Sequence, residues 1–159
     1  MQQQRRSALK KLLASVAGLT GFGVAAKAMG GATSSSPKLE KEVQSIVYDQ
    51  EVPLYSGSTK FNGLIFISGK GAHFPGDITS HTDRVLKDLE EELKKAGSSM
   101  DKVLKVNVYL NDIADFKGMN EVYKGKFGKN PPVRTTVAVS KGGLPGDSLV
   151  EIDCIAMAN

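Results

Sequence analysis

From Gln44 onward the apolar residues switch between two periods, and that switching constrains the fold more tightly than any single motif. Gln44–Tyr48 has the β-branched content of a short strand. Leu64–Ser68 is a stronger one, entered through the hairpin-turn pair Asn62-Gly63. From Ser80 to Ala96 the period becomes helical: Val85, Leu86, Leu89 and Leu93 form one stripe, Ser80 and Asp83 fit a capping box, and Gly97 suits the C′ position. Val103–Leu110 returns to period two, with Leu104, Val106, Val108 and Leu110 on one face. A second helix is predicted from Ile113 to Lys126, capped by Asp112, with Phe116, Met119, Tyr123 and Phe127 inward and Pro131-Pro132 stopping it. Val133–Ser140 and Leu149–Ala158 complete the set as strands joined by the glycine-rich turn Lys141–Asp147. The order β-β-α-β-α-β-β predicts an α+β domain, one mixed sheet with two helices on one face. Nothing in the chain is left to cover the other face, so self-association is expected to do it.

The N-terminus reads as an address. Residues 1–28 carry five basic residues (Arg5, Arg6, Lys10, Lys11, Lys27) and no acid. The apolar stretch from Leu12 to Ala26 has the length of a signal h-region, falls short of the roughly 20 residues of a spanning helix, and is broken by Gly18, Gly21 and Gly23. Ala26-Lys27-Ala28 places small residues where a signal peptidase reads, so cleavage after Ala28 is expected. Arg5-Arg6-Ser7-Ala8-Leu9-Lys10 resembles the twin-arginine export motif, a general secretory signal being the other reading. Residues 29–42 read as a flexible linker and residues 43–159 as the working domain. A periplasmic or otherwise exported protein with no membrane anchor after cleavage is expected.

The same segment accounts for the chain's formal charge of +4. With its five bases set aside, 16 basic residues of the original 21 face all 17 acidic ones, a net of −1 over residues 29–159. That balance has no basic footprint for a phosphate backbone, and no nucleic-acid partner is expected. Cys154 is the only cysteine, which excludes an intramolecular disulfide; with only His73 and His81 beside it, no structural metal site is expected. Gly69-Lys70-Gly71 lacks the spacing of a phosphate-binding loop, and no nucleophile–histidine arrangement is visible. Cys154 falls on the apolar side of its strand and reads as a small core residue. Glu90-Glu91-Glu92 with Lys94-Lys95 reads as a solvated helix face, His73 as a surface-loop residue and His81 as a surface residue in a first helical turn.

The chemistry candidates are polar residues in apolar settings. Arg134 and Thr136 share one face of their strand, and Glu151 and Asp153 share one face of theirs. An Arg and a Glu on neighbouring strands read either as a structural ion pair or as a site. In the second reading the guanidinium grips a carboxylate bidentately while the Glu holds a water or shuttles a proton. Asn120 lies on the inward stripe of the second helix, either as a structural hydrogen-bonder or as a ligand contact. Tyr55-Ser56-Gly57 and Ser68-Gly69 are placed at strand ends, where hydroxyls and backbone N–H groups can meet a ligand.

Together these segments resemble the Rid family (YjgF-type, reactive intermediate imine/enamine deaminases), over about Glu51–Asn159. The similarity rests on Asn120 to Tyr123, on Pro132-Val133-Arg134-Thr135-Thr136-Val137 and on Leu149-Val150-Glu151-Ile152-Asp153-Cys154-Ile155-Ala156. Upstream, Pro53-Leu54-Tyr55-Ser56, Ile67-Ser68-Gly69 and Ala96-Gly97-Ser98-Ser99 agree in order and spacing. The resemblance implies a chorismate-mutase-like homotrimer with clefts between subunits. It implies that Arg134 binds a substrate carboxylate, that Glu151 positions and activates water, and that Tyr55, Ser68, Gly69, Asn120 and Thr136 line the cleft. The implied reaction is hydrolysis of 2-imino or 2-enamino acids to 2-keto acids and ammonia, with no metal and no organic cofactor. The partner expected is therefore a small 2-imino or 2-keto acid. Three positions depart from the family: Thr136 stands where a cysteine is common, Lys70 where a Gln usually follows Ser-Gly, and the loop Gly71–Ile78 is short. These departures and the export signal keep a second reading open, a non-catalytic trimer that binds a small carboxylate or other anion in the same cleft. A third is a trimeric, chaperone-like interaction protein.

Overall fold

The computed structural model describes residues 40–159. The signal read over residues 1–28, and the linker as far as residue 39, lie outside the described residues. Eight elements follow: strands β1 (Glu42–Asp49), β2 (Val52–Phe61) and β3 (Leu64–Gly71), helix α1 (Ile78–Lys95), strand β4 (Val103–Leu110), helix α2 (Phe116–Tyr123), and strands β5 (Val133–Ala138) and β6 (Val150–Met157). They form one six-stranded mixed sheet in the order β1-β2-β3-β6-β4-β5. Only β4 and β5 run parallel, because α2 carries the chain back between them; the other pairs are antiparallel.

The core lies between the sheet and the helices. Val85, Leu86, Leu89 and Leu93 of α1 pack on Ile65 and Ile67 of β3, Val106 and Val108 of β4, and Ile152, Cys154 and Ala156 of β6, all buried. Met119 and Phe127 close the core on the α2 side. Burial at positions 150, 152, 154 and 156, with 151, 153 and 155 only partly covered, is the alternation expected of β6. On the opposite face no helix packs among the described residues, and Phe61, Leu64, Phe66, Val133, Val137 and Met157 are exposed there.

The predicted strand list lacks β2. Pro53, Ser56, Gly57 and Ser58 break the β-rich pattern, yet their backbone pairs along β1 from Asp49↔Val52 to Glu42↔Lys60. Tyr55 and Gly57 therefore sit inside a strand rather than at its end. The Asn62-Gly63 turn forms as expected, with φ of 48° and 76°, the paired positive values of a type I′ hairpin. The cap of α1 is one turn earlier than predicted: the Asp77 side chain accepts from Ser80 N–H at 2.8 Å, and Ser80 Oγ accepts from Asp77 N–H at 3.0 Å. At its other end Ser98 N–H reaches Leu93 O and Gly97 N–H reaches Lys94 O, the paired closure of a Schellman cap.

Leu104 is exposed rather than inward, because the β4–β6 register shifts between Val103 and Lys105 and Val103 takes its place in the core. The second helix is shorter than expected. A 3-10 turn at Ile113–Asp115, where Asp112 accepts from Ala114 N–H, leads into α2, which ends before Gly125.

Two side chains read as solvated are buried. Glu92 is 6% exposed, and its Oε2 pairs with Lys70 Nζ at 3.5 Å. His81 is 2% exposed: its Nε2 donates to Phe74 O at 2.8 Å and its Nδ1 accepts from Leu149 N–H at 3.1 Å. The imidazole is thus a cross-brace between the loop before α1 and the entry to β6.

Candidate functional site

Arg134 sits on β5 opposite Val106, on the helix-covered side of the sheet. Its Nη1 donates to Asn120 Oδ1 at 2.8 Å. The guanidinium carbon lies 4.6 Å from the centre of the Tyr123 ring and 5.7 Å from that of Phe116. Among the described residues no carboxylate pairs with it. Two buried hydroxyls on this side, Tyr123 OH and Thr136 Oγ1, have no hydrogen-bond partner. Burial pushes the Tyr123 phenol up to about 12, against the opposing pull of the Arg134 cation. A cation framed by a neutral amide and two rings, beside hydroxyls with nothing to bind, is arranged to receive an anion.

Glu151 lies on the other face. It pairs with Tyr109 of β4 and with Gly71 of β3. Its carboxylate rests directly on Gly69: a Cβ added there would stand 2.0 Å from Glu151 Oε1. Ser68 and Gly69 form the bulge where the β3–β6 register slips between Ile67 and Lys70. Beyond the Ser58↔Ile67 pair, β2 stays with β1 and leaves β3. The gap is a cavity of about 290 Å³ lined by Tyr55, Gly57, Ser68, Gly69, Lys70 and Glu92, among others. Tyr55, Ser68 and Gly69 are therefore brought together, with Glu151 behind Gly69. Next to Glu151 on its face, Asp153 accepts from Asn107 Nδ2 at 2.8 Å and from Tyr109 OH at 3.2 Å. Burial, and then the Asp153 and Glu151 charges, push the Tyr109 phenol up.

The expectation that Arg134 and Glu151 sit on neighbouring strands is corrected. β4 lies between β5 and β6, and the register Arg134↔Val106↔Cys154 puts Arg134 in line with the buried side of β6, whereas Glu151 alternates to the open side. They form no ion pair within one chain. Asn120 joins Arg134 and Thr136 shares its face; Gly69 lies against Glu151, and Tyr55 and Ser68 line the cavity beside Gly69. Sequence reasoning missed the ring contacts of Phe116 and Tyr123, which were read as core. It also missed the Lys70–Glu92 pair, whose only local signal is a charge in the middle of an apolar helical stripe. A larger cavity of about 370 Å³ lies among His73, Phe74, Gly76, His81 and Asp147. It contains none of the candidate residues, and both ring nitrogens of His81 are already engaged.

The model of the endoribonuclease L-PSP family (Ribonuc_L-PSP) matches residues 50–158, which include every candidate residue. The chain belongs to this family. A RutC family protein of Pyrococcus abyssi is 37% identical over 124 residues, 71% of this chain and 96% of the relative. Reactive Intermediate Deaminase A of the Arabidopsis thaliana chloroplast is 35% identical over 133 residues, 77% of this chain and 68% of the relative. Among solved structures, a member of the YjgF protein family from Neisseria meningitidis superposes with a TM-score of 0.67 at 27% identity, covering 76% of this chain and 96% of that one. As a member of the L-PSP family the chain has the expected chorismate-mutase-like mixed sheet with two helices.

Proposed function

We propose that this L-PSP family protein is an exported, homotrimeric imine/enamine deaminase whose sites lie between subunits. The observation that carries this reading is Arg134, held by Asn120 and two rings while its charge is left without a carboxylate. Arg134 would bind the substrate carboxylate in a planar fork, with the Thr136 and Tyr123 hydroxyls available to its oxygens. Glu151 would take a proton from water as the water oxygen bonds to C2 and pass it to the nitrogen as the C=N π bond opens, giving a carbinolamine; it would then carry the carbinolamine's hydroxyl proton to the amine as the C–N bond breaks and the C=O forms. The 2-keto acid and ammonia leave. Imines hydrolyse in water already, so orientation and one positioned carboxylate are sufficient catalysis. Because Arg134 and Glu151 face opposite sides of one sheet, the reaction calls for a second copy of the chain. The exposed Phe61, Leu64, Phe66 and Met157 are the apolar surface such a copy would cover.

The experiment is Glu151→Gln, assayed two ways on one preparation. The amide keeps the shape and cannot take a proton, so turnover of an imine generated in a coupled assay should be lost. Pyruvate binding by calorimetry should persist or improve, because a negative charge leaves a site for carboxylates. Binding in both proteins with turnover in neither would reject the deaminase and leave the carboxylate-binding trimer as the function.

A further inference from the structure

The gap between β2 and β3 holds a pair of charges that the deamination step does not use. Lys70 Nζ donates to both Glu92 Oε2 and Ser68 Oγ, each at 3.5 Å, long contacts for an ammonium. Glu92 is 6% exposed, and its other oxygen, Oε1, has no hydrogen-bond partner. That oxygen is buried against Gly57: a Cβ added there would sit 2.9 Å from it and 2.6 Å from Ser45 Cβ, so only a glycine fits beside it. Both charges line the same cavity of about 290 Å³ as Tyr55, Ser68 and Gly69. A buried carboxylate with an unsatisfied oxygen, beside a cation held only by long contacts, is costly unless something satisfies both more closely.

We propose that Lys70 and Glu92 form a subsite that reads the far end of the substrate side chain and selects an uncharged primary carboxamide. This rests on the reading of the cleft as an imino-acid site and names the class of acid it takes. The selection follows from the charges. The pair is neutral overall, so a second carboxylate on the substrate meets attraction at Lys70 and repulsion at Glu92, and an ammonium meets the reverse. An aliphatic end strips both charges of water and returns nothing. An amide offers its oxygen to the Lys70 ammonium and its N–H to the Glu92 carboxylate, two charge-assisted hydrogen bonds with no opposing contact. The Gln usual in the family at position 70 carries no charge to pair with Glu92.

Three carboxylates of matched length test this by calorimetry on the full-length chain: 4-carbamoylbutanoate, its aliphatic isostere 5-methylhexanoate, and glutarate. The wild type should bind the amide at least about tenfold more tightly than either other acid. The double substitution Lys70→Leu/Glu92→Leu leaves no unpaired charge and should reverse the order in favour of 5-methylhexanoate. Glu92→Gln, which keeps the shape and frees the Lys70 charge, should make glutarate the best ligand. Equal wild-type affinity for the amide and 5-methylhexanoate, or an order unmoved in both variants, overturns the subsite while the imine assay still decides the deaminase. Failure of the wild type to bind any of the three also overturns the subsite, and the imine assay decides the deaminase independently.

Discussion

At Arg134 the partners are a neutral amide oxygen and two aromatic faces, and no carboxylate among the described residues neutralises it. A structural arginine is neutralised where it is buried, since leaving its charge without a partner is destabilising. Here the geometry holds the side chain without neutralising it. Arg134→Lys should therefore leave the fold intact, with a thermal midpoint close to wild type, and lower turnover by more than the tenfold that about 1.4 kcal/mol represents. Lysine keeps the charge and loses the planar two-point grip. Turnover within about twofold of wild type would show that Arg134 is not the carboxylate anchor. Thr136 belongs to the same argument, for its buried hydroxyl has no hydrogen-bond partner among the described residues.

Strand β3 determines where Glu151 stands. Its bulge at Ser68-Gly69 turns the backbone toward Glu151, and only the missing Cβ of Gly69 lets the carboxylate lie there. Gly69→Ala puts a methyl group 2.0 Å from Oε1. The flexible carboxylate should rotate away, so kcat should fall at least about tenfold while the thermal midpoint holds and keto-acid affinity changes little. Unchanged kcat would mean that the working position of Glu151 is a different one. The sequence pattern resolved those elements whose burial follows one period. The alternation in β6 and the stripe Val85, Leu86, Leu89, Leu93 in α1 were both legible, because each packs on a single core. It failed at β2, whose Pro53, Ser56 and Gly57 weaken the strand signal while backbone pairing with β1 sustains it. It failed again at Leu104, where a register shift changes the face, and at Glu92, where a partner 22 positions earlier makes burial possible. Bulges and distant ion pairs are tertiary facts: local periodicity can mark a charge out of place in an apolar stripe, but it does not name the partner or the shift.

For the whole molecule, the alternation of side chains across the sheet has a consequence that can be counted. Arg134 and Glu151 were individually legible as candidates, but that they face opposite sides of one sheet depends on β4 being inserted between β5 and β6, a topology the linear order does not reveal. If each site takes Arg134 and Asn120 from one subunit and Glu151, Ser68 and Tyr55 from the next, two inactive chains can repair each other. Arg134→Lys chains keep Glu151, and Glu151→Gln chains keep Arg134. Unfolded together in equal amounts and refolded into a closed ring of three, they bring an intact Arg134 against an intact Glu151 at about one interface in four. Activity should therefore recover to about a quarter of wild type, although each variant refolded alone has almost none. Mixing the folded variants without unfolding them should restore less, and more slowly, as far as subunit exchange allows. No recovery after joint refolding, with mixed trimers demonstrated by mass, would place each site within one chain and overturn the shared cleft. Recovery far above a quarter would mean that the two side chains do not act at the same site.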